Sequence, residues 1–245
     1  MIKGHDVKMT TSQSKIQRDF DRIAALSTDE WNHNNHYVPF LLRQLPPSVE
    51  LDALEIGCGT GSFTRLLAQR FRRVFALDLS PRMIEKAKEL SHQYRNIDFQ
   101  VADAMSCEFS SGEFGCVASI ATLHHLPFEP ILSKMKNALK EDGTLLNLDL
   151  FKAESLADYS TAALAVPVNL ILRWIKNGQI RESAEIRAAW AEHGRTDVYL
   201  PLSQVRRTCA AILPNARIRR HLLWRYSIVW EKKQEPETAG PGVQI

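Results

Sequence analysis

With 245 residues, 44% hydrophobic and 24% charged, the chain is long enough to bury one sizeable core, and its composition excludes disorder, collagen-like repeats and a disulfide scaffold. A formal net charge of +3 gives no surplus for a polyanion partner. Four cysteines without paired CxxC spacing fit a reducing interior, the cytoplasm by default.

The start, MIKGHDVKMTTSQSK, lacks the apolar centre of a signal peptide. A polar and then amphipathic stretch leads to WNHNNHYVPFLLRQLP (Trp31 to Pro46), after which β-rich runs alternate with helical ones. The spacing predicts a strand at Leu51–Ile56, a helix from Thr60 to Phe71, a strand at Arg73–Leu77 and a helix opened by Ser80-Pro81. Strands at Ile97–Val101 and Gly115–Ala121, a helix from Phe128 to Leu139 and a strand at Gly143–Leu150 follow, with Asp142-Gly143 read as the intervening turn. Such alternation means parallel strands joined by crossover helices.

Residues 151–201 break the rhythm with about two helices' worth of apolar pattern and no clear strand, the length of a lid or insertion. The greasiest part, Ala162 to Ile175, is interrupted by Pro167, Asn169 and Arg173 and falls short of the roughly 20 residues that span a bilayer. A last helix is expected from Leu202 to Leu213. Trp224, Tyr226, Ile228 and Trp230 then alternate as one buried strand face, with the preceding stretch as hairpin partner. Arg206, Arg207, Arg217, Arg219, Arg220 and Arg225 read as a solvated face of that helix and hairpin. The Pro- and Gly-containing tail reads as disordered.

LEIGCGTGSF (Leu54 to Phe63) falls where an open parallel sheet binds its ligand, at the first strand-to-helix turn. A phosphate loop fails because no Lys-Ser or Lys-Thr follows the glycines. A dinucleotide fingerprint is a near miss, since Ser62 stands in the place of the third glycine after Gly57 and Gly59. Glu55 discriminates further: a carboxylate beside the bare turn repels a pyrophosphate and attracts the ammonium and sulfonium of S-adenosylmethionine. Asp78 closes the second strand about twenty residues on, placed for ribose hydroxyls. Asp103 in VADAMS follows the third strand, placed for an adenine amino group, with the Ala104 amide beside it.

Together, LEIGCGTGSFTRLLAQRFRRVFALDLSPRMIEKAKE, VADAMS and SIATLHHL resemble the class I S-adenosylmethionine-dependent methyltransferases over residues 45–150 or so. The resemblance implies a Rossmann-like α/β fold: a seven-stranded, mostly parallel sheet with an antiparallel last strand, helices on both faces and a helical lid insertion. It implies cofactor contact from Glu55, Gly57, Cys58, Gly59, Gly61, Asp78, Leu79, Met83, Asp103, Ala104 and the backbone near Ile120, with Cys58 a small residue between glycines. The chain then divides into a helical cap over the cofactor (1–46), an S-adenosylmethionine-binding core (47–150), a lid (151–201), a C-terminal helix and hairpin (202–231) and the tail (232–245).

Methyl transfer from a sulfonium is an in-line displacement in which positioning does most of the work. His124 and His125, just past the fourth strand, are candidates to orient or deprotonate the acceptor or to tie down the loop, and similar phosphobase methyltransferases use a histidine at that place. His33, His36 and Tyr37, with Asn34 and Asn35, form a second constellation for catalysis, cofactor contact or capping. No metal is expected, because neither histidine pair has a carboxylate at ligand spacing.

No Asn-Pro-Pro-Tyr or Asp-Pro-Pro-Tyr run and no Pro-Cys nucleophile follows the fourth strand, which argues against a nucleic-acid substrate. The expected acceptor is a small molecule under the lid, near Arg173, Trp174, Trp190, His193 and Tyr199, with methyl transfer to its oxygen, nitrogen or carbon leaving S-adenosylhomocysteine. No nucleic acid or membrane partner is expected, and the chain is a monomer or homodimer. A non-catalytic S-adenosylmethionine sensor or partner subunit, and an NAD-dependent dehydrogenase, stay as alternatives.

Overall fold

The computed structural model describes residues 10–26, 31–45, 48–195 and 197–233. The first nine residues and, from residue 234, the tail lie outside them. The strands are β1 (Ser48–Ile56), β2 (Phe71–Asp78), β3 (Ile97–Val101), β4 (Phe114–Ile120), β5 (Leu139–Leu150), β6 (Arg217–Arg220) and β7 (Arg225–Glu231). Helices α1 (Thr11–Leu26), α2 (His33–His36) and α3 (Val38–Leu42) precede β1, and α4 (Ser62–Ala68), α5 (Pro81–Leu90) and α6 (Phe128–Ala138) cross between strands. Helices α7 (Leu156–Asn177), α8 (Ala184–His193) and α9 (Leu202–Ile212) come between β5 and β6.

One sheet runs in the order β3-β2-β1-β4-β5-β7-β6. It is parallel from β3 to β5, and β7 is antiparallel to both of its neighbours. This is the expected Rossmann-like architecture. The connections from β1 and from β4 leave in opposite directions, so a crevice opens above the carboxyl ends of these two central strands.

Strand alternation assigns each side chain to a face. Leu54, Ile56 and Val117 point into a core shared with Ile131, Leu132, Met135, Val205 and Cys209 of α6 and α9. Ala53, Cys116 and Ala118 point the other way, against Leu41 of α3 and Phe63 and Leu67 of α4. By the same period Glu55 faces α4. Each large apolar side chain sealed in this way contributes about 1.5–3 kcal/mol.

Local chemistry explains most boundaries. The Ser80 hydroxyl accepts the Met83 amide at 3.0 Å and Pro81 occupies the first turn of α5, as the Ser-Pro pair predicts. Asp142 and Gly143 correct the sequence reading. Asp142 adopts φ 60°, but the pair lies inside β5, at a register shift where Leu139 already pairs with Phe114. Trp224 is a second correction: with φ 52° it sits in the turn before β7, so only Tyr226, Ile228 and Trp230 share the predicted face. Arg225 is a third, buried rather than solvated, its Nε donating to Asn34 Oδ1 at 2.8 Å.

Helix α1 is held against α5 and α8. Phe20, Ile23 and Ala24 pack with Met83, Ile186 and Ala189, and Asp21 accepts the Ser80 hydroxyl at 2.5 Å. Helix α7 leaves Leu164, Ile171, Trp174 and Ile175 exposed. Among the described residues no helix is long and apolar enough to cross a membrane.

Candidate active site

A cavity of about 1480 Å³ occupies the crevice above the carboxyl ends of the parallel strands, walled by the glycine turn, α1, the start of α2, and α8. Glu55, Gly57, Cys58, Gly59, Asp78, Leu79, Met83, Asp103, Ala104, Ile120, His124 and His125 all line it. Residues far apart in sequence meet there because the consecutive strand ends converge.

The glycine turn is held from beneath. Asp78 accepts the Gly59 amide at 2.8 Å through one carboxylate oxygen and the Ser80 amide at 2.9 Å through the other. Gly57 and Gly59 take φ of 73° and 52°, left-handed values that suit glycine. A Cβ on Gly57 would collide with the Thr122 side chain, whereas one on Gly59 would meet nothing within 4 Å. The turn therefore packs on one side and presents bare backbone on the other.

Glu55 is 2% exposed, and Thr64 Oγ1 donates to its Oε2 at 2.5 Å. Burial, reinforced by the nearby Asp78, raises its pKa to about 8. Burial thus favours the protonated form of this acid at neutral pH, where the sequence led to the expectation of a standing negative charge. Burial also raises the Asp78 carboxyl and the Cys58 thiol, the latter well above the ordinary thiol value. Asp103 accepts the Met105 amide and the Ser106 hydroxyl as a turn former does, and Gln13 Nε2 of α1 donates to its Oδ2 at 2.9 Å. An open turn, a desolvated acid in need of a cation and acids at the next two strand ends fit an adenosyl amino-acid cofactor.

On the opposite wall the Leu123–His125 turn follows β4. The main-chain amide and Nδ1 of His124 approach the two oxygens of Asp149, at the end of β5, at 3.0 and 2.6 Å. His125 lies edge-on to Phe20, and its Nε2 is 3.3 Å from Nε2 of His193. Burial and the neighbouring His124 and His193 rings lower its pKa to about 2, so the ring is neutral. Asp197, absent from the sequence reading, closes the group, with Oδ1 3.5 Å from His125 Nδ1 and Oδ2 4.0 Å from His124 Nε2. The expectation that these histidines lack a carboxylate at ligand spacing is corrected: the fold returns one from seventy residues downstream, where no local spacing announces it.

Several expected site residues lie elsewhere. Tyr37 does not line the cavity: its hydroxyl accepts the Leu223 amide at 3.0 Å and its ring lies against His221. His36 packs edge-on to Trp31 and Tyr37, also off the wall. At Gly61, off the wall too, the space of a Cβ is taken by Phe99 and Ala87, so its role is close packing of helix on strand. Trp174 is 64% exposed on α7. His33, Asn34 and Asn35 do line the cavity, as do Arg173, Trp190, His193 and Tyr199. Asn35 completes a capping box with Asn32, and His33 is hydrogen-bonded to Asn169 of α7 at 2.7 Å.

Residues 53–143 match the model of a methyltransferase domain family. An uncharacterized methyltransferase of Mycobacterium tuberculosis is 28% identical over 206 residues, 82% of this chain and 96% of that protein. The 2-methyl-6-phytyl-1,4-hydroquinone methyltransferase of Synechocystis is 32% identical over 148 residues, 60% of this chain and 43% of that one. Among solved structures, geranyl diphosphate C-methyltransferase from Streptomyces coelicolor, in complex with Mg2+, geranyl diphosphate and S-adenosyl-L-homocysteine, superposes with a TM-score of 0.64 at 13% identity. It covers 92% of this chain and all of that one, a likeness of fold. With the strand order, the open glycine turn and the buried acid beside it, these matches show a methyltransferase domain at residues 53–143 and support a class I S-adenosylmethionine-dependent methyltransferase.

Proposed function

We propose that the chain transfers a methyl group to oxygen, nitrogen or carbon of a small molecule held between the glycine turn and the His124–His125 wall. The observation that carries this reading is a single cavity of about 1480 Å³ bounded by both features. Small-molecule sites commonly measure about 300–1,000 Å³, so this volume accommodates donor and acceptor together. When bound, S-adenosylmethionine supplies an electrophilic methyl on a sulfonium, ready for in-line displacement.

Every other contribution falls to the chain. Glu55 and the Gly57–Gly59 backbone serve the amino-acid end of the donor, Asp78 its ribose, and Asp103 with the Ala104 amide its adenine. Leu79, Met83 and Ile120 supply apolar contact. His124 and His125 border the acceptor's place, while Asp149 holds His124 in position. Phe20 and Trp190 supply apolar wall at this end, and holding the reactants at about 3–3.5 Å in line supplies roughly 7–11 kcal/mol of the barrier.

The test is incubation of the purified chain with methyl-labelled S-adenosylmethionine and a metabolite extract, separating small products from macromolecules. Label is expected in the small-molecule fraction and to fall about 10²–10⁴-fold with His125→Ala. Label confined to protein or nucleic acid would overturn the reading.

A further inference from the structure

Around the Leu123–His125 turn the fold leaves two ring nitrogens and a carboxylate facing one another. His124 Nδ1 meets the Asp149 carboxylate at 2.6 Å, so its Nε2 is the nitrogen left to face Asp197, 4.0 Å from Oδ2. His193 Nδ1 lies 3.3 Å from Asp19 Oδ2, and its Nε2 lies 3.3 Å from His125 Nε2 and 3.7 Å from Asp197 Oδ1. The remaining His125 nitrogen, Nδ1, is 3.5 Å from Asp197 Oδ1. One donor atom from each of His124, His125 and Asp197 thus lies within 4.8 Å of the others, with both rings at separations from Asp197 longer than a good hydrogen bond.

The 3.5 Å between His125 and Asp197 suits two donors around an ion, and the 4.0 Å between His124 and Asp197 is a little longer. Ligand bonds of about 2.0–2.2 Å in tetrahedral array hold their donors roughly 3.3–3.6 Å apart. The outer partners agree: ligating histidines hold their second nitrogen on a carboxylate or another partner, as His124 does on Asp149, and His125 Nε2 rests against His193, itself beside Asp19. Tyr199 donates to Asp197 Oδ2 at 2.7 Å and fixes the carboxylate. His124, His125 and Asp197 have side chains 5–8% exposed, and they also border a second cavity of about 230 Å³ shared with Ser12 and Lys15.

We infer that His124, His125 and Asp197 form a binding site for a divalent transition-metal ion of the zinc class, with an open position facing the cavity. Two nitrogens and one carboxylate oxygen suit zinc or iron rather than the all-oxygen preference of magnesium and calcium. A three-ligand site with an open position is one that takes an oxygen of a bound molecule. That this oxygen belongs to the methyl acceptor rests on the function proposed above; the binding of the ion does not.

The full chain, stripped with a chelator and dialysed, is titrated with Zn2+ against a chromophoric chelator. One ion per chain with a Kd of about 1 μM or below is expected, weakened at least a hundredfold by His124→Ala or Asp197→Asn and unchanged by His92→Ala, on an exposed histidine. Loss of about 10–100-fold is expected for Asp149→Asn, through His124. X-ray absorption at the zinc edge of the wild-type chain, expected to show two imidazole ligands, keeps the test independent of whether variants fold. Binding weaker than millimolar, equal binding by the His124 and Asp197 variants, or an all-oxygen shell would each overturn the site. Zinc bound as expected by a chain that shows no methyl transfer would leave the site standing and remove only the acceptor's place on it.

Discussion

Thr64 donates a hydrogen bond from its hydroxyl to Glu55 at 2.5 Å, and helix α4 thereby seals the acid at the end of β1 beside the bare turn. Without a ligand this carboxyl keeps its proton up to about pH 8. An ammonium docked against it favours the charged form, so binding releases a proton at neutral pH, and affinity rises with pH up to about 8 and levels off beyond. Calorimetric titration with S-adenosylhomocysteine at pH 7, in two buffers of different ionisation heat, should report a net release of protons on binding, up to about one per chain. Glu55→Gln should abolish the release and weaken binding at least tenfold. A heat independent of buffer in the wild type would contradict this account.

Gly57 and Gly59 should separate folding from binding. Alanine at Gly57 collides with Thr122 and is held at φ 73°, so a loss of about 2 kcal/mol or more is expected, above the 1–2 kcal/mol of the left-handed backbone alone. Alanine at Gly59 meets open space, so only the backbone cost applies, but its methyl projects where the ligand would lie. Denaturant melts should rank Gly57→Ala as the less stable variant, while Gly59→Ala, still folded, loses at least tenfold in cofactor affinity. Unchanged affinity for Gly59→Ala would mean that the ligand does not use the turn.

Tyr37 is expected to be structural. Tyr37→Phe leaves the Leu223 amide without its partner, a cost of about 1–3 kcal/mol, while turnover at saturating substrate stays within twofold of the wild type. A large fall in kcat with unchanged melting temperature would restore the catalytic role.

Burial lowers the pKa of both His33 and His221 to about 4, helped by Arg225 and Arg173 beside the first and Arg219 beside the second. Once unfolded, both rings take a proton near pH 6.5. Between these values the unfolded state binds more protons, so their contribution to stability is complete above about pH 6.5 and is lost as pH falls towards 4. Urea midpoints at pH 7 and pH 5 should differ in that direction, and His33→Gln should flatten the difference. Midpoints that do not move with pH would refute the burial argument.

The sheet was legible because alternation of strand and helix in a parallel fold leaves a period that local residues set, and β3 falls on the predicted Ile97–Val101. Where tertiary pairing overrides local signals the reading failed. Asp142-Gly143 looks like a turn, yet pairing of Leu139 with Phe114 and an exchange of main-chain hydrogen bonds with Lys232 draw it into β5. The strand-end acids could be placed from the sequence because each ends a predicted strand. Tyr37 was misplaced because the stretch around it folds as two short helices, α2 and α3, and turns its ring towards His221. Asp197 could not be found at all: the chain leaves β5, makes α7 and α8, and brings the aspartate to the histidines just before Pro201 bridges back to Lys152.

The carboxamide of Gln13 rests on Asp103, the acid that ends β3, as a resident occupant of the position where an incoming amino group would settle. If the cofactor's amino group settles there, as the proposed function has it, its affinity includes the cost of displacing the chain's own first helix from that oxygen. Gln13→Ala should therefore tighten cofactor binding, making this one place in the pocket where deleting a polar group improves it.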